Sequence, residues 1–509
     1  MALMTETSWT EIDRLWEKLE KALLTPIRAF RLRYLPLLMV YFAYGALGII
    51  TIAESFWIKS SLTLTPSELA ALSVWLTLPW TIKMVFGELV DAVPIFGSQR
   101  QSYVVIGGAL VALGLLTLAG TAGGWITFAP PDDLYRIGSF LSVVGVVLQD
   151  VAADAMSAEV VDRENPDGSP RDPKDINRDL AMVQVLGRLA LSLGLVVVAG
   201  LGGWLASVFS YTTVFLCSLV IPAISVSGAF LIRIDSSETR PVDWRILGGG
   251  LVFGASVLAM AIGGVPYSQE IVFVVSMAVV SAMLWRVVGD LDPQIQKTVF
   301  YAVIIIFAFR ATPLVGQGYT WFTIEVLGFD EAFQGTLNQI GALLALIGTW
   351  LFSDSITGKP IPVVLFWLTI VATILSLPSL ALTLGISGWT EATLGFGART
   401  IAIIDTAASS PFLQLSMIPL LTLCAIYAPQ KRRATWFALM GSLMNLALVA
   451  AALQTKYLNQ VFVIDRGAYE NLPLLLGVVM AIGLVVPLTA ILLFGKKLES
   501  GESARLQSS

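Results

Sequence analysis

Five ionisable residues interrupt otherwise apolar stretches of this sequence: Lys83, Asp150, Asp154, Arg188 and Arg310. The two aspartates lie in "LQDVAADAMSAEVVD" (148–162), which ends an apolar run beginning near Leu134. Four residues apart, they share one face of a helix, whereas Glu159 is turned roughly 140° from Asp154 and falls near the edge of the run. Gln149 adjoins Asp150 and is grouped with it. An acidic side chain at the centre of a membrane helix costs roughly 2.5–3.5 kcal/mol. A base 4 Å away recovers about 4 kcal/mol at an effective dielectric of 20. Lys83 and Arg188 lie at similar depth, about 12–18 Å from the same edge by helical rise, and are the expected partners. Such a cluster is either a static ion-pair network that fixes helix packing or part of a path for a charged solute or proton. The second reading is the expectation.

Arg310 heads "RATPLVGQG" (310–318). Pro313 removes a backbone donor and Gly316 and Gly318 loosen the chain, so the helix should break here and turn backbone polar groups toward a cavity. A permanently charged, fork-shaped guanidinium beside that break suits a carboxylate ligand, with an intraprotein counter-ion as the other reading.

The elements that must position these residues follow from composition. The chain has 509 residues, 56% of them hydrophobic and only 13% charged, about half the charge of a soluble domain. Apolar stretches of about 20 residues recur throughout, each long enough to span a bilayer. Ten-residue alternating strands are absent, which argues against a β-barrel. The reading is an all-α polytopic membrane protein. Spans are expected at 34–53, 68–91, 103–127, 135–160, 180–205 and 211–232, then at 245–264 and 270–288. The last six are expected at 298–320, 335–353, 361–386, 396–427, 434–455 and 472–495. This makes about 14 helices, arranged as six, two and six. The corresponding regions are an amphipathic segment (1–33), a first bundle (34–232), a linker with two additional helices (233–297), a second bundle (298–495) and a tail (496–509). In the first segment Trp9, Ile12, Leu15, Trp16, Leu19 and Leu23 recur at helical spacing, as in a helix lying on a bilayer or on a cytosolic partner.

With a cytoplasmic N-terminus, about 23 of the 31 Lys and Arg fall on the cytoplasmic side, as the positive-inside rule requires. Both termini are then cytoplasmic, and with no transit peptide or signal peptide evident the expected location is a plasma (inner) membrane. The halves echo one another. "GELVDAVPIFGSQR" (87–100) and "GTWLFSDSITGK" (348–359) each carry Gly, Asp, Gly and a base, and "DVAADA" (150–155) has a counterpart in "DTAASS" (405–410). Two related six-helix units around a midplane site would explain this, and the echo brings Asp405 into the candidate set. Gly87, Asp91, Arg100, Pro313, Asp354 and Lys359 are candidate gating residues. In particular, Asp91 with Arg100 and Asp354 with Lys359 either latch the two halves at the cytoplasmic face or are simply solvated.

Other chemistries find no support. There is no histidine, Cys217 and Cys424 sit in apolar runs, and no metal-ligand cluster or phosphate-binding Gly–Lys–Ser loop occurs. No cofactor, nucleic acid or obligate protein partner is expected, and a membrane-embedded enzyme or scaffold is disfavoured. The loop "NPDGSPRDPKDINRD" (165–179) has the composition of a solvated connector.

Five segments in order, "LPWTIKMVFGELVDAVPIFGSQRQSY" (78–103), "LQDVAADAMSAEV" (148–160), "FRATPLVGQGYTWF" (309–322), "LGFD" (327–330) and "SMIPLLTLCAIYAP" (416–429), resemble the folate–biopterin transporter family of the major facilitator superfamily. The resemblance spans about residues 34–495. It implies two bundles that move an anionic folate or pterin, with protons, by alternating access. On that footing Lys83, Gln149, Asp150, Asp154, Arg188, Arg310 and Asp405 are the expected substrate- and proton-binding residues. The pterin's amino–amide edge would donate to Asp150 or Asp154, and folate's glutamate tail would meet Arg310. Another organic anion or a nucleoside-like solute is the alternative cargo.

Overall fold

A computed structural model describes residues 28, 30–165, 167–231, 241–289, 292–357, 359–413, 415, 417–426 and 433–508. The N-terminal amphipathic pattern, Trp9 to Leu23, lies outside the described residues, as do Arg233, Arg240, Lys431 and Arg432 of the charge-bias argument. So does the side chain of Asp354.

The chain is helical from end to end, with no strand among the described residues. The first set of helices is α1 (Leu35–Ala46), α2 (Thr51–Ser61), α3 (Pro66–Thr81), α4 (Lys83–Ala92), α5 (Gln101–Ala122), α6 (Pro131–Glu159), α7 (Pro173–Val208), α8 (Tyr211–Cys217) and α9 (Val220–Leu231). The intervening pair is α10 (Trp244–Ile262) and α11 (Ser268–Val288). The second set is α12 (Pro293–Arg310), α13 (Gln317–Glu325), α14 (Glu331–Thr357), α15 (Ile361–Leu375), α16 (Leu377–Thr383), α17 (Ile386–Leu394), α18 (Ala398–Leu413), α19 (Met417–Ile426), α20 (Arg433–Val461) and α21 (Leu472–Ser508). Among the described residues, 12 helical units are long and apolar enough to cross a membrane. The expected spans at 298–320 and 335–353 are present as helices but are not among those 12, so fourteen is an approximate number. The first is interrupted after Arg310, and α14 carries Gln334, Asn338 and Gln339.

Local sequence sets the helix starts. Thr65 and Glu68 form a reciprocal capping box before Pro66, and Asp172 and Asp292 cap helices that begin with proline, which satisfies otherwise orphaned N–H groups. Packing then depends on small residues. Gly107 and Gly114 of α5 face Gly145 and Gly138 of α6, seven residues apart on antiparallel helices. A Cβ built on Gly145 would lie 2.5 Å from the Gly107 carbonyl oxygen, and one on Gly107 would lie 2.7 Å from that of Gly145. Only glycine permits so close an approach.

The two sets pack mainly among themselves and meet along two seams, α3 against α20 and α7 against α14. The second seam is tightest where Gly203 faces Gly335, whose added Cβ would sit 2.8 Å from the Gly203 Cα. The intervening pair does not behave as one unit. α11 packs on α20, and its Val280, Leu284, Val287 and Val288 belong to the core of the second set. α10 touches α4 and is almost wholly uncovered by protein, with Trp244, Leu251 and Val252 facing outward. Such a face suits lipid rather than water.

Gly145→Val should lower stability by about 1–3 kcal/mol by overpacking this contact. Gly87→Ala, whose Cβ would meet nothing within 4 Å, should be neutral. Thermal unfolding of the purified protein in detergent compares the two.

Candidate functional site

Lys83 owes its position to a broken helix. Pro79 cannot donate to the Trp75 carbonyl, and the backbone leaves the helical region at Ile82 (φ −101°, ψ 21°) before α4 restarts at Lys83. Two carbonyls near the break are taken by α20: Asn445 Nδ2 donates to Trp80 at 3.0 Å, and Ser442 Oγ donates to Thr81 at 2.9 Å. From the restarted helix the Lys83 ammonium reaches Asp150 Oδ2 at 2.5 Å and Asp154 Oδ2 at 2.6 Å. The Tyr41 hydroxyl donates to Asp154 Oδ1 at 2.6 Å. The expected pairing of the aspartates with Lys83 is therefore observed. Arg188 instead makes no hydrogen bond or ion pair to another described residue, although it faces the same space.

That space is a cavity of about 660 Å³ between the two sets of helices. Its walls include Tyr41, Tyr44, Trp80 and Arg188 from the first set and Met417 and Asn445 from the second. Tyr44 and Trp80 stack with ring centroids 5.6 Å apart. The Asp154 side chain is 48% exposed in this cavity and that of Asp150 only 11%, so Asp154 is the carboxylate that meets solvent. A second cavity of about 530 Å³ lies farther along α7, walled by Leu195 and Val198 and by Tyr319, Ser379 and Asp405. A third, about 570 Å³, shares Ser73, Thr77 and Leu448 with the first and Tyr319 with the second. The three are therefore neighbours along the interface between the two sets of helices.

The other expected residues fall in several places. Gln149 is buried away from the main cavity, its Nε2 donating to the Val104 carbonyl and to Ser225 Oγ at 2.8 Å each, so it ties α6 to α5 and α9. Arg310 is half-buried beside Met417. Its Nη1 is 2.8 Å from Met417 Sδ, its Nε has no partner, and it lines none of the three cavities. The break after it is real: the chain leaves the helix over 311–316, and Gly316 adopts φ +83°, a conformation natural to glycine. The freed backbone groups are mostly bound by α20, however. Gln454 Nε2 donates to the Ala311 carbonyl at 2.6 Å, Thr455 Oγ1 accepts from Leu314 N at 2.9 Å, and Asn459 Nδ2 donates to the Val315 carbonyl at 3.1 Å. Pro313 is buried at this turn and Lys359 is exposed.

Asp91 and Arg100 do pair, at 2.9 Å, and Arg100 also holds Glu159 at 2.6 Å. Glu159 thus has a partner that its position at the end of the helix did not disclose. These three residues all belong to the first set, so the observed Arg100 contacts do not join the halves. At the opposite end, contacts between the halves are numerous among the described residues. Arg466 donates to the carbonyls of Ile58, Lys59, Leu62 and Leu64 at 2.8–3.2 Å and lies over the Trp321 ring at 4.1 Å. Lys59 pairs with Glu325 at 3.0 Å, and Tyr211 donates to Glu331 at 2.8 Å. Sequence patterns gave no signal for Arg466, because a guanidinium that caps a distant helix has no local motif.

The sequence matches the BT1 family over residues 45–505. The chain belongs to the BT1 family. Among its relatives, the folate-biopterin transporter of Synechocystis sp. is 28% identical over 462 residues, covering 90% of this chain and 80% of the relative. The probable folate-biopterin transporter 4 of Arabidopsis thaliana is 24% identical over 465 residues, 85% and 89% of the two chains. Folate transporter 1 of Plasmodium falciparum is 20% identical over 421 residues, 82% and 71%. In fold, a POT family transporter solved with 5-aminolevulinic acid superposes with a TM-score of 0.63 at 14% identity, covering 92% of this chain and 96% of that one. A D-xylose-proton symporter does so with 0.54 at 13%, over 90% and 95%. The architecture is of the major facilitator type, and this family member is a multi-pass membrane transporter rather than an enzyme.

Lys83→Met should destabilise the protein by about 2 kcal/mol. That is less than the 3–5 expected for a fully buried pair, because a third of the Lys83 side chain is exposed. Adding Asp150→Asn and Asp154→Asn to the same chain should restore much of the loss. Thermal unfolding in detergent measures both.

Proposed function

We propose that the chain carries folates or related pterins across a plasma membrane by alternating access, taking up a proton with its anionic solute. The solute class rests on the family and on its relatives named as folate or folate-biopterin transporters. The coupling rests on one observation, the balance of charge in the main cavity. Lys83 and Arg188 are matched by Asp150 and Asp154, yet only Lys83 is committed to the carboxylates. Each carboxylate that a solute brings to Arg188 adds one negative charge in excess to the cavity, and a proton on the solvent-facing Asp154 offsets one of them. Each ligand then favours the other, as linkage requires.

Alternating access is supported by the two-bundle fold shared with solved transporters and by the cross-half contacts at the Arg466 end. With the N-terminus cytoplasmic, the Arg466 end is external and the Arg100 end internal. Arg466, Lys59 and Tyr211 hold the external end shut, while the Arg100 contacts stay within one half. The seams along α20 and α7 act as the rocking surfaces, a rigid-body movement of packed units.

Labelled folate uptake in a host unable to import it tests this reading. Collapse of the proton gradient should reduce accumulation to background. Asp154→Asn should lower accumulation at least tenfold while leaving exchange of internal for external folate in place. Accumulation unchanged by loss of the gradient would refute the coupling.

A further inference from the structure

Resting on the folate or pterin reading, we infer that Asp405 is the subsite for the solute's flat, donor-bearing end and that Arg188, in the neighbouring main cavity, receives its anionic end. This assignment reverses the order expected from sequence, in which Asp150 or Asp154 met the ring and Arg310 the carboxylates.

Several charges beside these cavities are already used. Asp150 and Asp154 share the Lys83 ammonium, and Tyr41 donates to Asp154 as well. Arg310 contacts Met417 and lines none of the three cavities. Two charged groups on the walls make no direct ion pair among the described residues, although the Arg188 charge does act on Asp150 across the cavity. Arg188 lines the main cavity, and Asp405 lines the second. Asp405 accepts a single hydrogen bond, from Ser379 Oγ to Oδ2 at 3.0 Å, and its Oδ1 is buried with no partner. A carboxylate so placed has unused acceptor capacity in a site of low dielectric, where a missing donor is costly.

The ligand chemistry that fits is a pair of adjacent N–H donors on a planar ring, such as a ring N–H beside an exocyclic amine. Two parallel donors engage a carboxylate in the fork geometry that guanidinium also uses. Tyr319 walls the same cavity and offers a flat face beside it. The distance is also suitable. Leu191 walls the first cavity and Leu195 the second, one helical turn apart on α7. Arg188 and Val198, which shares the second cavity with Asp405, are ten residues apart, roughly 15 Å along the helix axis. The neighbouring cavities together therefore accommodate an extended molecule with a donor edge at one end and carboxylates at the other.

Three probes divide that molecule: folate, biopterin (ring without the glutamate tail) and p-aminobenzoylglutamate (tail without the ring). Binding is measured on the purified full chain in detergent. Asp405→Asn and Asp405→Ser should each weaken folate and biopterin at least tenfold and leave p-aminobenzoylglutamate within twofold. Arg188→Gln should weaken folate and p-aminobenzoylglutamate at least tenfold and leave biopterin within twofold. Unfolding temperatures should stay near that of the unaltered protein, as Asp405 and Arg188 make few protein contacts. Equal loss of all three probes in the Asp405 variants, as a proton-carrying or purely structural role would give, overturns the assignment. So does no loss at all, while retained folate binding by the unaltered protein keeps the transport reading intact. Failure of the unaltered protein to bind any probe overturns both.

Discussion

One ammonium held between two carboxylates inside an apolar bundle is the constraint on which the rest of this structure depends. Neither Asp150 nor Asp154 is tolerable in hydrocarbon alone, and neither is Lys83. Together they are, provided that the lysine arrives at the right depth and angle. It does so because α3, weakened at Pro79, ends at Thr81 and α4 restarts at Lys83 after the single residue Ile82. The break would in turn be costly if its carbonyls went unpaired, since no water is available in the bilayer interior. Ser442 and Asn445 of α20 supply the missing donors.

α20 performs this service twice. Farther along, Gln454, Thr455 and Asn459 bind the backbone released between α12 and α13. A single helix of the second set thus stabilises an interrupted helix in each half while packing along the seam between them. Ser442, Asn445, Gln454, Thr455 and Asn459 are distributed along an apolar helix, and each is matched to a peptide group of an interrupted helix. Breaks that are satisfied across a seam can also be rearranged when the seam moves. Rigid helices with a few interrupted points suit a protein that must open to one side and then the other.

The two ends of the bundle differ in kind. At the Arg466 end, a guanidinium gathers carbonyls from the end of α2 and the loop beyond it and lies on Trp321, so the halves are joined through many shared hydrogen bonds. At the Arg100 end, Asp91, Arg100 and Glu159 bind one another within the first half. Between these ends, Arg188 lines the first cavity and Asp405 the second, neither in a direct ion pair among the described residues.

The sequence by itself determined the helical membrane class, the approximate spans, the break after Arg310 and the need of the two aspartates for a base at their depth, Lys83 or Arg188; the structure chose Lys83. Each of these follows from near-neighbour physics: apolar length against bilayer thickness, proline and glycine against the helix ladder, and acids against bases at one depth. What only the tertiary structure decided is which ionisable groups remain available. Arg310 was legible as a buried cation but not as one screened by Met417, which lies 107 positions later. Gln149 was legible as polar but not as a tie to Val104 and Ser225. Asp405 entered through a faint internal echo, and only its cavity shows that one oxygen lacks a donor. Helical periodicity states the face on which a side chain lies. It does not state which neighbour that face meets, and in a bundle of this size the neighbour decides whether a charge is spent on packing or left for a solute.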